Sequence, residues 1–182
     1  MAKLVSKTYG EALFEIALEK NAVDGLAEEV KAVSRALADN EELTKLLNHP
    51  KVAKEEKLKV IENIFKGRVS DDLTGFLVLA VNKGRQEDIQ DIFEYFTDRV
   101  REYNNIGVAC ITTPAQLSEN EKEKVLQKLL ATTEYTGFEM NYKVDASLIG
   151  GMIIRIGDRV VDSSIKTKLE ELTRSLKKVQ LA

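Results

Sequence analysis

The spacing of the apolar residues changes once along this chain of 182 residues, and that change constrains the fold more than any other feature. Before residue 105 the apolar residues recur every three to four positions, which is the period of an amphipathic helix. After it, Ile106–Thr113 is rich in β-branched residues and ends at Pro114, as is typical of a strand. We therefore predict an α+β fold, with a helical bundle over residues 1–105 and a smaller α/β domain over residues 106–182.

The first 105 residues are expected to form six helices. Ser70 precedes two acidic residues, Asp71 and Asp72, and this order is typical of a helix start. Two helix ends are marked as well, because His49 precedes a proline and Gly67 follows an apolar run. The predicted helices cover about residues 3–21, 24–38, 41–48, 53–65, 71–83 and 87–102.

The first and fifth predicted helices carry more apolar surface than a single packing stripe needs. On the first, Phe14 and Leu18 form a second apolar patch away from the main stripe, and Phe76–Val81 on the fifth is apolar on every side. Two interpretations stay open. The surplus packs inside the bundle, or it forms a hydrophobic groove that binds an amphipathic helix of a partner.

The most specific segment lies in the C-terminal domain. Gly150–Gly151 opens an apolar run, Gly157–Asp158 fits a two-residue hairpin turn, and Asp162–Ser164 offers oxygens that can cap a helix. We therefore predict a β-hairpin followed by a terminal helix. An apolar stripe on that helix is consistent with core packing or with a partner coiled coil. The stripe consists of Ile165, Leu169, Leu172, Leu176 and Val179.

Two further elements are predicted between the first strand and the hairpin. Ser118 and Glu121 have the spacing of a capping box, and apolar residues follow at helical intervals. Apolar and polar residues then alternate over residues 138–144, as in a half-buried strand. The C-terminal domain is thus expected to mix strands with helices.

Composition argues against several classes of function. The chain has 27 basic and 30 acidic residues and a net charge of −3, whereas a dedicated nucleic-acid binder shows a basic face. His49 is the only histidine, so it has no second histidine for a metal site or a proton relay. Cys110, the only cysteine, fits a small buried residue of a strand. We expect no catalytic residue, no cofactor and no metal site.

The sequence also bears on the compartment. A single cysteine allows no intramolecular disulfide, which favours a reducing environment. Residues 1–20 lack the pattern of a signal peptide, and nowhere do about 18 apolar residues follow one another. We expect a soluble protein that does not span a bilayer.

Three stretches resemble one known family. Leu148–Leu169 is similar to the C-terminal signature of the delta subunit of bacterial F-type ATP synthases, whose mitochondrial counterpart is the oligomycin sensitivity-conferring protein. Tyr9–Ala17 resembles the first helix of that family, and Leu79–Arg85 resembles the end of its fifth helix. The resemblance covers essentially the whole chain, in order. One departure is Gly10, where the family usually has alanine.

The resemblance implies a six-helix bundle, a smaller C-terminal α/β domain and no active site. In this family the bundle binds the N-terminal helix of an alpha subunit in a groove between the first and fifth helices. The C-terminal domain binds the C-terminal end of the b-subunit peripheral stalk. Such a subunit is a stator link on the cytoplasmic face of the membrane. It keeps the catalytic head from rotating, so that torque is used for ATP synthesis coupled to ion transport.

We carry this resemblance over to particular residues of the chain. Apolar residues of the first and fifth helices are expected to line the alpha-subunit groove: Tyr9, Ala12, Leu13, Phe14, Phe76, Leu77, Leu79 and Ala80. Three residues of the terminal helix are expected to bind the b subunit: Ile165, Leu169 and Leu172.

The alternative function from another class is a helical RNA-binding regulator, which could also be a bundle of this size. The acidic balance and the lack of an aromatic and basic surface pattern count against it. A strongly salt-dependent affinity for RNA would favour it.

Overall fold

The computed structural model describes the backbone of residues 2–179 and the side chains of residues 4–174. The chain divides into two compact units after Arg101, four residues before the predicted boundary and within the last turn of the sixth helix. Each unit is described by itself below.

The first unit is helical throughout, as the sequence predicts. The first helix ends at Glu19 rather than near residue 21, because Asn21 has a left-handed backbone with φ of 50°. The sixth is preceded by a short 3-10 turn over Gln86–Asp88. The helices are α1 (Ala2–Glu19), α2 (Val23–Asp39), α3 (Glu41–Asn48), α4 (Lys54–Phe65), α5 (Asp71–Asn82) and α6 (Ile89–Tyr103).

Helix α5 begins at the cap that the sequence predicts and lies within the bundle. The Ser70 hydroxyl accepts a hydrogen bond from the backbone N–H of Leu73 at 3.3 Å. Glu29 of α2 in turn accepts from the Ser70 hydroxyl at 2.6 Å and so holds this cap against the bundle. Most of the apolar residues of α5 are buried: Leu73, Phe76, Leu77, Ala80 and Val81.

The second unit contains a four-stranded mixed sheet. Its elements are β1 (Ile106–Thr113), α7 (Glu119–Thr132), β2 (Gly137–Val144), a 3-10 turn (Ala146–Leu148), β3 (Ile153–Ile156), β4 (Arg159–Asp162) and α8 (Ile165–Val179). The strand order is β2-β1-β3-β4. Strands β1 and β2 are parallel and are connected through α7, whereas β3 and β4 form the predicted hairpin. The capping box of Ser118 and Glu121 is present at the start of α7.

One face of the sheet packs on α7, and the opposite face is partly exposed within the residues that the structure describes. Ala109 and Ile111 of β1 are buried and pack with Leu129 of α7 in the core of this unit. Cys110 lies between them and points to the opposite face, because side chains alternate along a strand. It is exposed, so our expectation of a buried cysteine is wrong.

Two glycines let the start of α8 approach the segment before β3. A Cβ at Gly150 would lie 2.5 Å from Cδ1 of Ile165. Gly151 has φ of 77°, and a Cβ there would overlap the backbone carbonyl oxygen of Ser163. The backbone N–H of Ile165 donates to the carbonyl of Gly150 at 3.0 Å. The glycine pair therefore fixes where α8 leaves the sheet.

Candidate partner-docking surfaces

Helices α1 and α5 run antiparallel along one surface of the bundle. At one end, the rings of Tyr9 and Phe76 meet edge to face with centroids 6.4 Å apart. At the other end, the ammonium of Lys20 lies 2.7 Å from the carboxylate of Asp72. The side chains along these two helices around the two contacts form a groove, which we call the α1–α5 groove.

The α1–α5 groove encloses a cavity of about 400 Å³. Its lining repeats every three to four residues on both helices, so each helix contributes one continuous face about two turns long. The lining residues are Thr8, Tyr9, Ala12, Leu13 and Ile16 of α1, and Asp71, Asp72, Gly75, Phe76 and Leu79 of α5.

The groove has a buried apolar floor and an exposed apolar rim. Leu13 and Phe76 form the floor and are only 0% and 7% exposed. Ile16 and Leu79 stand on the rim and are 36% and 45% exposed. A free chain therefore leaves apolar side chains in water along this groove, which is the surface that an amphipathic helix of a partner can cover.

Small residues lie in the middle of the groove. Ala12 of α1 and Gly75 of α5 are both exposed, and both line the cavity. A Cβ built at Gly75 would have no heavy atom within 4 Å. The space above Gly75 is thus open, and we call this part of the groove the notch.

Charge is unevenly distributed along the groove. Asp71 and Asp72 lie at the end where α5 begins, and Asp72 is paired with Lys20. Asp71 is exposed and makes no ion pair with any residue that the structure describes. Lys83 follows the last groove residue of α5, Leu79, by one helical turn. The groove is therefore acidic at one end and has a lysine beyond the other.

Five of the eight predicted groove residues lie in the lining: Tyr9, Ala12, Leu13, Phe76 and Leu79. The structure places the other three, Phe14, Leu77 and Ala80, in the core of the bundle, where they are 4%, 0% and 0% exposed.

The burial of Phe14 has a clear cause. Its ring meets Phe96 of α6 edge to face at 6.4 Å, and the Arg99 guanidinium lies 5.4 Å above it. Phe14, one of the two residues of the second apolar patch of α1, thus packs against α6 and is not available to a partner.

Sequence reasoning missed five residues of the groove lining: Thr8, Ile16, Asp71, Asp72 and Gly75. Ile16 belongs to the main apolar stripe of α1, and its spacing from Ala12 could have identified it. Gly75 carries a weaker signal, which is a glycine inside a helix otherwise composed of good packing residues. A search for apolar surplus passes over Thr8 and the two aspartates because their side chains are polar.

The predicted stalk-binding residues form an exposed row on α8. Ile165, Leu169 and Leu172 are 44%, 50% and 60% exposed. Their spacing places them on one helix face. Within the described residues this face is not packed into the core of the second unit. The side chains of Leu176 and Val179, which would continue the row, lie outside the described residues.

The first turn of α8 is held by a network of short polar side chains. The Asp162 carboxylate accepts from the backbone N–H of Ser164 at 2.8 Å and from the Thr167 hydroxyl at 2.7 Å. The Ser164 hydroxyl accepts from the backbone N–H of Thr167, which makes Ser164 the N-cap. The bond from Ser164, followed by that from Thr167, lowers the pKa of Asp162.

No helix in the described part of the chain is long and apolar enough to cross a bilayer.

Comparison with known proteins identifies the family. The sequence model of the family described as ATP synthase delta (OSCP) subunit matches residues 5–176. An ATP synthase subunit delta from Lachnoclostridium phytofermentans is 62% identical over 181 residues, which cover 100% of both chains. One from Desulforamulus reducens is 37% identical over 172 residues, or 94% of each chain.

A solved structure shares the fold. It is a cryo-EM structure of the Toxoplasma gondii mitochondrial ATP synthase hexamer, in which the matching chain has a TM-score of 0.74 and 22% identity. The match covers 94% of this chain and 96% of that one. The sequence matches, with this shared fold, confirm the resemblance: the chain belongs to the ATP synthase delta (OSCP) subunit family and is a non-catalytic subunit of that complex.

Proposed function

We propose that this subunit is a stator link with one docking surface in each unit. The α1–α5 groove binds the N-terminal helix of an alpha subunit, and the exposed row of α8 binds the C-terminal region of the b subunit. The link keeps the catalytic head from turning with the central shaft, so that torque is used for ATP synthesis coupled to ion transport. The subunit is then peripheral and lies on the cytoplasmic face of the cell membrane.

The observation that carries the proposal is the preformed apolar groove. A cavity of about 400 Å³ has a buried floor at Leu13 and Phe76 and is flanked by exposed Ile16 and Leu79. Covering apolar surface of this kind contributes about 25 cal/mol per Å² before the costs of association are subtracted. A groove that already exists in the free chain needs little further ordering when a helix binds.

The exposed row of α8 supports the second half of the proposal. Ile165, Leu169 and Leu172 present apolar area that the described part of the chain does not bury. The N-cap at Ser164 and the contact of Ile165 with Gly150 fix the first turn of this helix. Binding the head and the stalk through one subunit also raises the effective concentration of each for the other.

Calorimetric titration of the full chain with two synthetic probes tests the proposal. The probes are the N-terminal helix of the alpha subunit and the C-terminal segment of the b subunit of the same synthase. Two exposed leucines provide matched variants, Leu79→Asp in the groove and Leu172→Asp on α8. We expect Leu79→Asp to lower the affinity for the alpha peptide only, and Leu172→Asp to lower the affinity for the b segment only, each by at least about tenfold.

Two results would contradict the proposal. One is the absence of any complex between the alpha peptide and a folded chain. The other is an equal loss of affinity for both partners in both variants, which would mean that the two surfaces do not act separately. Circular dichroism of each variant confirms that the fold is kept.

The comparisons give no support to the alternative of a helical RNA-binding regulator. The relatives found are ATP synthase subunits, and the net charge of −3 provides no excess of positive charge for phosphates.

A further inference from the structure

We infer that the α1–α5 groove recognises two side chains of its docked helix, a bulky apolar residue that enters the notch and a basic residue one helical turn away that pairs with Asp71. This inference rests on the proposed function, because it describes how the same groove selects its helix. The partner helix must then carry two particular side chains at a set spacing, in addition to an apolar face that fits the groove.

The notch is built to receive a large side chain. Gly75 leaves open space where any other residue would place a Cβ, and Ala12 faces the same cavity from α1. Leu13 and Phe76 lie beneath as an apolar floor. A large apolar side chain that enters such a pocket becomes fully desolvated, which is the typical setting of the residues that dominate binding energy.

Asp71 provides the charge. It is exposed, lines the groove and makes no ion pair with the described residues, whereas the neighbouring Asp72 is paired with Lys20. A docked helix that places a lysine or arginine against Asp71 gains an ion pair, and one that places an acidic residue there is repelled. Lys83, beyond the far end of the groove, disfavours a basic side chain at that end.

The distance between the two features sets the spacing in the partner. Asp71 precedes Gly75 by four residues on α5, so the two positions lie about 6 Å apart along the helix axis. Side chains three or four positions apart on a docked helix are separated by a similar distance. The partner helix should therefore carry its bulky apolar residue and its basic residue three or four positions apart.

Calorimetric titration of the full chain with the alpha-subunit N-terminal peptide tests the inference through three variants. Gly75→Leu fills the notch and should weaken binding at least about tenfold. Gly75→Ala adds one methyl group and should change the affinity less than about threefold. Asp71→Asn should weaken binding about two- to fivefold at low salt, and this difference should vanish at high salt. The unfolding temperature of each variant shows whether the fold is kept.

Changes in the peptide locate the two contacts. A set of peptides is made in which one large apolar residue, or one lysine or arginine, is replaced by alanine. Each peptide is titrated into three proteins: the unsubstituted chain, the Gly75→Leu variant and the Asp71→Asn variant. One apolar position should lose its effect in Gly75→Leu and one basic position should lose its effect in Asp71→Asn. These two positions should lie three or four residues apart.

The outcomes separate this inference from the proposed function. If the natural chain binds the peptide but Gly75→Leu and Asp71→Asn both leave the affinity within a factor of two, the inference is overturned and the groove assignment stands. Coupled positions at another spacing overturn it as well. If the natural chain is folded and does not bind the peptide, the proposed function fails and the inference fails with it.

Discussion

The two units of this chain satisfy their apolar residues in different ways. The bundle packs residues from all six helices into one core, which includes large side chains such as Phe93 and Phe96 with almost no exposure. In the described part of the second unit, only four apolar side chains are buried: Ala109, Ile111, Leu129 and Leu148. Several large apolar residues there remain exposed instead: Val144, Ile149, Val160, Val161, Ile165, Leu169 and Leu172.

Under the proposed function, this difference implies that the two units respond differently to a partner. The bundle has a core of its own, and its groove is present in the free chain, so a helix that binds there as proposed would add to a structure that already exists. The second unit combines a small core with the sheet ladder and the polar network around Asp162, and it leaves apolar side chains exposed. We therefore expect the stability of the bundle to depend on its core, and we expect binding of a partner to stabilise the second unit more than the bundle.

Loss of a core side chain should destabilise the bundle far more than loss of an exposed side chain of α8 destabilises the second unit. Leu77 in the bundle is 0% exposed, so Leu77→Ala leaves a cavity and should lower the free energy of unfolding by about 2–5 kcal/mol. Leu172 on α8 is 60% exposed, so Leu172→Ala should change it by less than about 0.5 kcal/mol in the free chain. Urea unfolding followed by circular dichroism measures both. Equal losses would mean that the face of α8 is packed in solution.

The next effect tests whether backbone contacts, rather than a large core, hold the second unit. Gly151 has φ of 77°, and Gly151→Ala forces a Cβ against the carbonyl of Ser163. This substitution should lower the free energy of unfolding by about 2–4 kcal/mol. Gly157→Ala is the matched control in the same unit, because its φ is 53° and no atom lies within 4 Å of the added Cβ. It should cost only about 1–2 kcal/mol. Thermal unfolding that ranks the two variants equally would count against the close approach at Gly151.

A smaller change in stability is expected when the open space at Gly75 is partly filled. Gly75 is an exposed glycine inside α5 with open space around it, so Gly75→Ala should stabilise the free chain by about 0.5–1 kcal/mol. Gly25→Ala, in α2 and outside the groove lining, is the control and should give a similar gain. A loss of stability at Gly75 alone, measured by urea unfolding, would show that the notch is already filled in the free chain.

The smallest effect concerns the start of α8. Because the pKa of Asp162 is lowered in the folded chain, its carboxylate stabilises the fold at neutral pH. That stabilisation should be lost only as the pH falls through the lowered value. The amide signal of Ser164 in NMR spectra should therefore titrate with a midpoint below the ordinary value of 3.8. Asp162→Asn should remove this transition, and a midpoint above 3.8 would contradict the capping role.

The sequence predicts the elements of this fold well, because each has a local signal. Ser70 caps the start of α5, the capping box includes Ser118, and the hairpin turns at Gly157–Asp158. The family follows from short stretches of residues as well. The parallel pairing of β1 with β2 was not predicted, because strand neighbours depend on contacts between residues far apart in the chain.

The groove was predicted less completely, for a physical reason. Periodicity assigns residues to a helix face but does not show which neighbour covers that face. The sequence pattern predicts a partner contact for Phe14, whereas in the structure Phe96 of α6 packs against it. Gly75 and Asp71 escaped notice because one has no side chain and the other is charged. Their place in the groove follows only from the structure, in which both residues line the cavity.

Hydrogen–deuterium exchange of the full chain with each probe tests the central claim, that each unit carries its own docking surface. With the alpha-subunit peptide bound, amide exchange should slow in α1 and α5 and stay unchanged in α8. With the b-subunit segment bound, exchange should slow in α8 and stay unchanged in α1 and α5. Protection of α8 by the alpha peptide, or of the α1–α5 groove by the b segment, would contradict the account.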